Sequence, residues 1–104
     1  MAYIHQISFE IDREQLGMLG IGSPLQRVLG FLRIQLPSSE GFITSRARYA
    51  LTPGKRVLVE VESVWEHYGD LERHRASQIA EDKVMLEFGD GLSDLKIQEF
   101  AEVD

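Results

Sequence analysis

Two segments that alternate between apolar and polar residues are joined by a short turn near the middle of the chain. The turn is Thr52-Pro53-Gly54-Lys55, whose proline and glycine are typical of a chain reversal. The segments before and after it, 41–51 and 57–64, both change face with every residue, which is the period of a β-strand. Together these features predict an antiparallel β-hairpin at the centre of the fold.

One predicted strand and one predicted helix lie on each side of this hairpin. Residues 3–11 alternate as a strand. A helix with an apolar stripe follows, capped by Ser23, with Pro24 in its first turn and Pro37 at its end. After the hairpin, the pattern predicts a helix over 70–88, with Ser77 as the place for any break, and a last strand over 94–103.

The order strand, helix, strand, strand, helix, strand predicts an α+β fold of the ferredoxin-like kind, as a single domain over residues 1–104. Right-handed crossovers then give a four-stranded antiparallel sheet, ordered last, first, third, second, with two helices on one face. If the hairpin is centred on Gly54, Arg48 faces Glu60 and Arg46 faces Glu62. Each such cross-strand pair contributes roughly 0.2–1 kcal/mol, which favours this register over a slip by one residue.

Charge and composition exclude several kinds of partner. The net charge of −6 at pH 7 disfavours nucleic acid and anionic membranes. No apolar run approaches the length of a membrane span, and the first ten residues do not have the pattern of a signal peptide. The chain has no cysteine, so disulfides and thiolate chemistry are excluded. We expect a cytoplasmic protein.

The segment 57–77 carries the most functional information. Its predicted strand ends on Trp65, on the apolar side of the alternation. Asp70 then has the residue type of a helix cap, which places His74 in the first helical turn, on the same side as Leu71. A strand that delivers an indole to the start of a helix carrying an imidazole predicts a small aromatic-lined pocket.

This arrangement resembles the antibiotic biosynthesis monooxygenase family, whose members carry a Trp at the end of the third strand and a His on the following helix. Segment 37–42 is similar to the family's proline–glycine entry into the second strand, and segment 62–77 to its glutamate–tryptophan–helix–histidine–serine signature. The resemblance spans residues 3–103. It implies a homodimer with a dimeric α/β barrel, and cofactor-independent oxidation of a small aromatic or polyketide-like molecule by an oxidoreductase.

Four residues are candidates for the site that this resemblance implies. His74 and Trp65 are the catalytic candidates, as proton acceptor and as stacking or indole N–H donor, and His5 and Tyr49 are the substrate-binding candidates on the same side of the sheet. Each has a structural alternative. Trp65 and His5 can be core residues, and His74 can simply bond a neighbouring carbonyl or carboxylate.

Other chemistries fit the sequence less well. The haem-degrading branch of the same superfamily uses a first-strand Asn and a later axial His, whereas this chain has no Asn and no His after His74. No histidine pair has the spacing of a zinc site, so we expect neither cofactor nor metal. Gly17, Gly20 and Gly22 are interpreted as a loop that can act as a lid. The rival function is a non-catalytic dimeric module that binds a small apolar ligand or only stabilises an assembly.

Overall fold

The strands and helices follow the predicted order in the computed structural model, which describes residues 1–16 and 23–104. The strands are β1 (Tyr3–Asp12), β2 (Phe42–Tyr49), β3 (Arg56–Trp65) and β4 (Ser93–Ala101). The helices are α1 (Arg13–Leu16), α2 (Pro24–Gln35), α3 (Tyr68–Ser77) and α4 (Ile79–Phe88), with 3-10 turns at Leu36–Ser38 and Gly89–Gly91. The predicted glycine lid, 17–22, lies outside the described residues.

The four strands form one antiparallel sheet in the order β2-β3-β1-β4, which confirms the predicted topology. Arg46 lies opposite Glu62 and Arg48 opposite Glu60, as the charge pattern predicted. The Nε atom of Arg48 donates to Oε1 of Glu60 at 2.7 Å, and that of Arg46 donates to Oε1 of Glu62. The hairpin register is therefore the one that pairs these opposite charges.

The hydrophobic core lies between the sheet and the helices. Odd-numbered residues of β1 and β3 point into it, and even-numbered ones point to the open face, as the period of two requires. The core side chains include Ile7, Phe9, Val59 and Val61 from the sheet, Val28 and Leu32 from α2, and Val84 and Phe88 from α4. Burying apolar surface from both layers is what holds the helices on this face.

Helix α2 begins as predicted. Ser23 has an extended backbone, and its Oγ accepts a hydrogen bond from the backbone N–H of Gln26 at 3.2 Å. Pro24 occupies the first turn, where its missing N–H costs nothing. The cap and the proline together fix where the chain enters the helical layer.

The start of α3 corrects the prediction. The helix begins at Tyr68, so Asp70 lies within the first turn instead of capping it, and His74 lies in the last turn instead of the first. Asp70 is buried and accepts from Arg73, three residues along, which is a stabilising pair on a helix. Its carboxylate is engaged by that arginine and does not cap the helix.

The long helix predicted over 70–88 is two helices. The break falls at Gln78, whose φ of 57° is left-handed, next to the predicted break at Ser77. The hydroxyl of Ser77 donates to the carbonyl oxygen of His74 at this junction. His74 and the first turn of α4 are thereby brought to the same end of the sheet.

Candidate functional site

Three aromatic rings meet where β3 and β1 face α3. The imidazole of His74 lies over the indole of Trp65, with ring centroids 4.9 Å apart and planes tilted by 30°. Its other neighbour is the imidazole of His5, also at 4.9 Å but nearly perpendicular, at 84°. All three side chains are buried. The structure therefore brings together three of the four predicted site residues.

Trp65 is held at the end of β3 by contacts on two sides. The ring of Phe42, from β2, packs against it edge-on at 5.6 Å. Its indole Nε1 donates to Oγ of Ser63 at 2.9 Å. Because residues two apart share a face of a strand, Ser63 and Trp65 point the same way. The indole is fixed both by packing and by a hydrogen bond.

A cavity of about 260 Å³ opens beside this cluster. Trp65 and His74 form part of its wall, while His5 lies behind His74, away from the lining. The lining residues come from the α2–β2 connection, the end of β3, α3 and the start of α4: Leu36, Ser39, Glu40, Trp65, Asp70, Arg73, His74, Ser77 and Ile79. The lining combines apolar side chains with three charged ones, Glu40, Asp70 and Arg73.

Tyr49 shares the helix-facing side of the sheet, as predicted, but it is outside this cavity. It pairs with Val59 and packs against the apolar core. Val59 precedes Trp65 by six residues, which corresponds to roughly 20 Å along a strand. Facing the right side of the sheet was predictable for Tyr49, whereas its position along the strand separates it from the histidines.

Both buried histidines are neutral at pH 7. Burial and, to a smaller extent, the neighbouring His5 together lower the pKa of His74 from 6.5 to about 4. Burial also lowers the pKa of His5, against the opposing effect of the Glu99 carboxylate. A neutral imidazole keeps one nitrogen free to accept a hydrogen bond, so His74 offers the cavity an acceptor and a donor.

The charged wall of the cavity is formed by Asp70, Arg73 and Glu40. Arg73 donates to Oδ1 of Asp70, and its guanidinium lies 3.9 Å from the carboxylate of Glu40. Gly41 has a left-handed φ of 80°, and a Cβ atom there would overlap the carboxylate of Asp70. The glycine is therefore what lets this buried carboxylate reach its place.

Several of these residues carried no recognisable signal in the sequence. Glu81, whose Oε1 is 3.5 Å from Nε2 of His5, follows His74 by seven residues on a separate helix. Ser63 could have been found from its position two residues before Trp65 on the same strand face. The sequence predicts Asp70 as a helix cap, and its burial depends on Gly41, which is distant along the chain.

Within residues 1–16 and 23–104, no three or more His, Asp or Glu side chains converge so as to hold a metal ion. In the same ranges, none of the helices has the length and apolar character needed to cross a membrane.

Sequence comparison and structure comparison give different results. No protein-family model matches the sequence, and no curated protein matches it. Solved structures do. A candidate antibiotic biosynthesis monooxygenase from Deinococcus radiodurans is 15% identical, with a TM-score of 0.66 over 100% of this chain and 94% of that one. A mutant of a cofactor-independent oxygenase from Streptomyces nogalater is 13% identical, with a TM-score of 0.63 over 99% and 94%.

The same architecture also occurs in a protein that did not arise by evolution. A de novo designed protein is 12% identical, with a TM-score of 0.61 over 99% of this chain and 100% of the design. Because one fold can carry many activities, these similarities establish the architecture and leave the chemistry to the side chains. The chain has the ferredoxin-like fold of the antibiotic biosynthesis monooxygenase-like proteins.

Proposed function

We propose that this protein is a cofactor-independent monooxygenase of small phenols, with His74 and Trp65 as its catalytic residues. The observation that carries the proposal is the neutral imidazole of His74 in the wall of a cavity, lying over the buried indole of Trp65. A planar ring can stack beside that indole, and its hydroxyl can meet the free nitrogen of the imidazole. The similarity to a cofactor-independent oxygenase supports the same class of reaction.

The reaction needs no reductant besides the substrate. The phenolic proton moves to His74, and the electron-rich ring then reduces dioxygen. In the balanced reaction, one phenol and one O₂ give one quinone and one water: one oxygen atom forms the new carbonyl and the other leaves as water. The two hydrogens of that water come from the hydroxyl and from the ring carbon that is oxidised. Four electrons leave the ring, and O₂ accepts four.

The protein contributes a base, a stacking surface and a desolvated site. His74 is unprotonated throughout the neutral range because its pKa lies near 4, so it is free to accept a proton, and the negative charge of a phenolate bound beside it must raise that pKa for the transfer to proceed. The imidazolium that forms on it is stabilised by the phenolate at its side, an attraction that the burial of His74 strengthens. The indole N–H of Trp65 is already bonded to Ser63, so Trp65 acts through its ring face.

The size of the cavity favours a ligand with one aromatic ring. Its volume of about 260 Å³ is below the roughly 300–1,000 Å³ that is usual for drug-sized ligands. A fused polyketide does not fit this volume without movement of the wall, whereas a substituted phenol does. We therefore place the single-ring substrates before the polyketide-like ones.

Fluorescence and oxygen uptake test the proposal together. Trp65 is the only tryptophan, so a phenol bound beside it should quench the intrinsic fluorescence. The same phenol should then consume oxygen without added flavin, metal or haem. His74→Leu, which keeps volume but removes the imidazole, should abolish both effects, whereas Tyr49→Phe, outside the cavity, should change neither.

The two possible failures have different meanings. Quenching without oxygen uptake supports the rival function, a module that binds a small apolar ligand without transforming it. If none of a panel of phenols and quinones quenches Trp65, the three rings are core residues and the cavity is not a binding site. If the His74→Leu variant consumes oxygen as fast as the wild type, the imidazole has no part in the mechanism.

We also propose that two copies pair through the open face of the sheet. No helix of the described residues covers this face, on which the partly exposed Ile4 and the exposed Leu58 and Phe100 lie around the two arginine–glutamate pairs. On β4, Phe100 lies opposite Ile4 and therefore shares the open face, whereas Leu95 and Ile97 point to the helix-facing side. A surface with both charge signs is complementary to a rotated copy of itself, and a second sheet covers the apolar residues that water now contacts.

A further inference from the structure

His5 is buried beside His74 with an incomplete set of hydrogen bonds. It is 1% exposed, and its Nε2 atom makes no direct hydrogen bond among the described residues. Buried ring nitrogens nearly always have a partner, because losing water without replacing it is costly. The surroundings of Nε2 should therefore supply one.

Two carboxylates lie near His5, and one of them is already engaged. Glu99 is directly opposite His5 in the β1–β4 register, but Tyr68 donates to its Oε2 at 2.9 Å and Arg75 donates to its Oε1. Glu81, on α4, has its Oε1 only 3.5 Å from Nε2 of His5 and no other ion-pair partner within the described part of the chain. Glu81 is thus the carboxylate available to His5.

We propose that Glu81 is a positioning residue of this site: it fixes the imidazole of His5, and His5 in turn fixes the ring of His74 in the cavity wall. A small rotation of the partly exposed Glu81 side chain closes the 3.5 Å gap to a hydrogen bond. The proton of His5 then resides on Nε2, because the hydrogen bond made by one nitrogen sets the tautomer of the ring. His5 stays neutral. Its ring packs edge-to-face against that of His74, with the two ring planes at 84°, and so fixes the orientation of His74.

The contact between Glu81 and His5 matters for the proposed reaction, and its functional role rests on that proposed function. His74 can take a proton only if His5 has not taken one, because a positive charge on His5 lowers the affinity of His74 for a proton. The titratable and charged groups that face His5 are Glu81 from α4, Glu99 from β4, and Arg75 and His74 from α3. Of these, Glu81 is the one with a direct contact that can set the tautomer.

The test begins with ligand-free protein, so that it does not depend on the proposed substrate. Nitrogen-15 NMR of the imidazoles should show His5 with its proton on Nε2 at pH 7. In Glu81→Leu, which removes the acceptor, the tautomer mixture of His5 should change and the ring signals of His74 should shift. Glu81→Gln, which retains an acceptor oxygen, should restore most of the wild-type pattern. Asp82→Leu is the control, an exposed acid one residue further on the same helix.

A second measurement connects this to the cavity. The probe is 4-nitrophenol, whose absorbance reports whether it binds as the phenol or the phenolate. Glu81→Leu should bind it roughly tenfold more weakly, the size typical where an outer-shell carboxylate orients a functional histidine. Glu81→Gln should be within a few-fold of wild type.

The outcomes separate the two proposals. If wild-type His5 carries its proton on Nδ1, or if Glu81→Leu leaves His74 as unchanged as Asp82→Leu does, Glu81 has no positioning role. If the tautomer result holds but 4-nitrophenol does not bind, the positioning inference stands and the proposed function is at fault. If Glu81→Leu does not fold, the wild-type tautomer and the Glu81→Gln spectra still decide whether Glu81 positions His5.

Discussion

The carboxylate of Asp70 occupies the space that a side chain at Gly41 would need. Gly41→Ala should therefore lower the free energy of unfolding by about 2–4 kcal/mol, since the positive φ strains any L-residue and the added carbon displaces a buried group. Urea unfolding followed by circular dichroism measures this. The Gly41→Ala substitution should also disturb the Asp70–Arg73 pair in the cavity wall.

Gly30 provides the matched control. It lies inside α2, with nothing within 4 Å of a Cβ built on it. Gly30→Ala should raise the free energy of unfolding by about 0.5–1 kcal/mol, because alanine has the better helix propensity. Equal effects of the two substitutions would contradict the role assigned to Gly41.

Acid should destabilise the protein through its buried histidines. The pKa of His74 is about 4 in the folded state and 6.5 when unperturbed, so between these values the unfolded chain binds the extra proton. The free energy of unfolding should fall as the pH is lowered through this window, by up to about 1.4 kcal/mol per pH unit for each such proton. His74→Phe should show a shallower slope between pH 6.5 and 4 in urea titrations. Identical slopes would mean that His74 is protonated in the native protein.

Two serines that face each other across β2 and β3 should respond differently to alanine. Ser63 accepts the buried indole N–H of Trp65, so Ser63→Ala should cost about 1–3 kcal/mol by leaving that donor unpaired. The hydroxyl of Ser45 is buried without a partner among the described residues, so Ser45→Ala should be neutral or stabilising. Thermal unfolding of the two variants gives the comparison, and a larger loss for Ser45→Ala would contradict the assigned bond.

Light scattering should give close to twice the chain mass of 11.8 kDa at micromolar concentration. Phe100→Glu places a charge on the open face of the sheet and should yield a monomer. Ile34→Glu changes a still more exposed apolar residue, on α2, and should leave the dimer intact. A wild-type monomer would show that the arginine–glutamate face is simply solvated.

The fold was predictable because its signals are local. Alternation of residues 3–11 and 57–64, the Pro53-Gly54 turn and the Ser23 cap each act within a few residues, and the arginine–glutamate pairs then select the register. The start of α3 was not predictable in this way, because Asp70 has the residue type of a helix cap. Only the distant Gly41 and the neighbouring Arg73 explain why it is buried inside the first turn instead.

The site was predictable only in part, for a similar reason. Trp65 and His74 are joined by one short corner, so their meeting follows from the strand and the helix that flank it. The contact between His5 and Glu81 joins the first strand to the last helix, and no local pattern encodes it. Tyr49 was placed on the correct face, but alternation alone does not give its distance from the end of the strand.

The left-handed residue between α3 and α4 has a consequence for how this chain can change in length. His74 and Glu81 lie on opposite sides of Gln78, yet both reach His5. One residue inserted after Gln78 would rotate the start of α4 by roughly 100° and carry Glu81 off that histidine. Exposed positions along both helices can change identity without disturbing the contact, so in this stretch the spacing of residues is under tighter constraint than their chemistry.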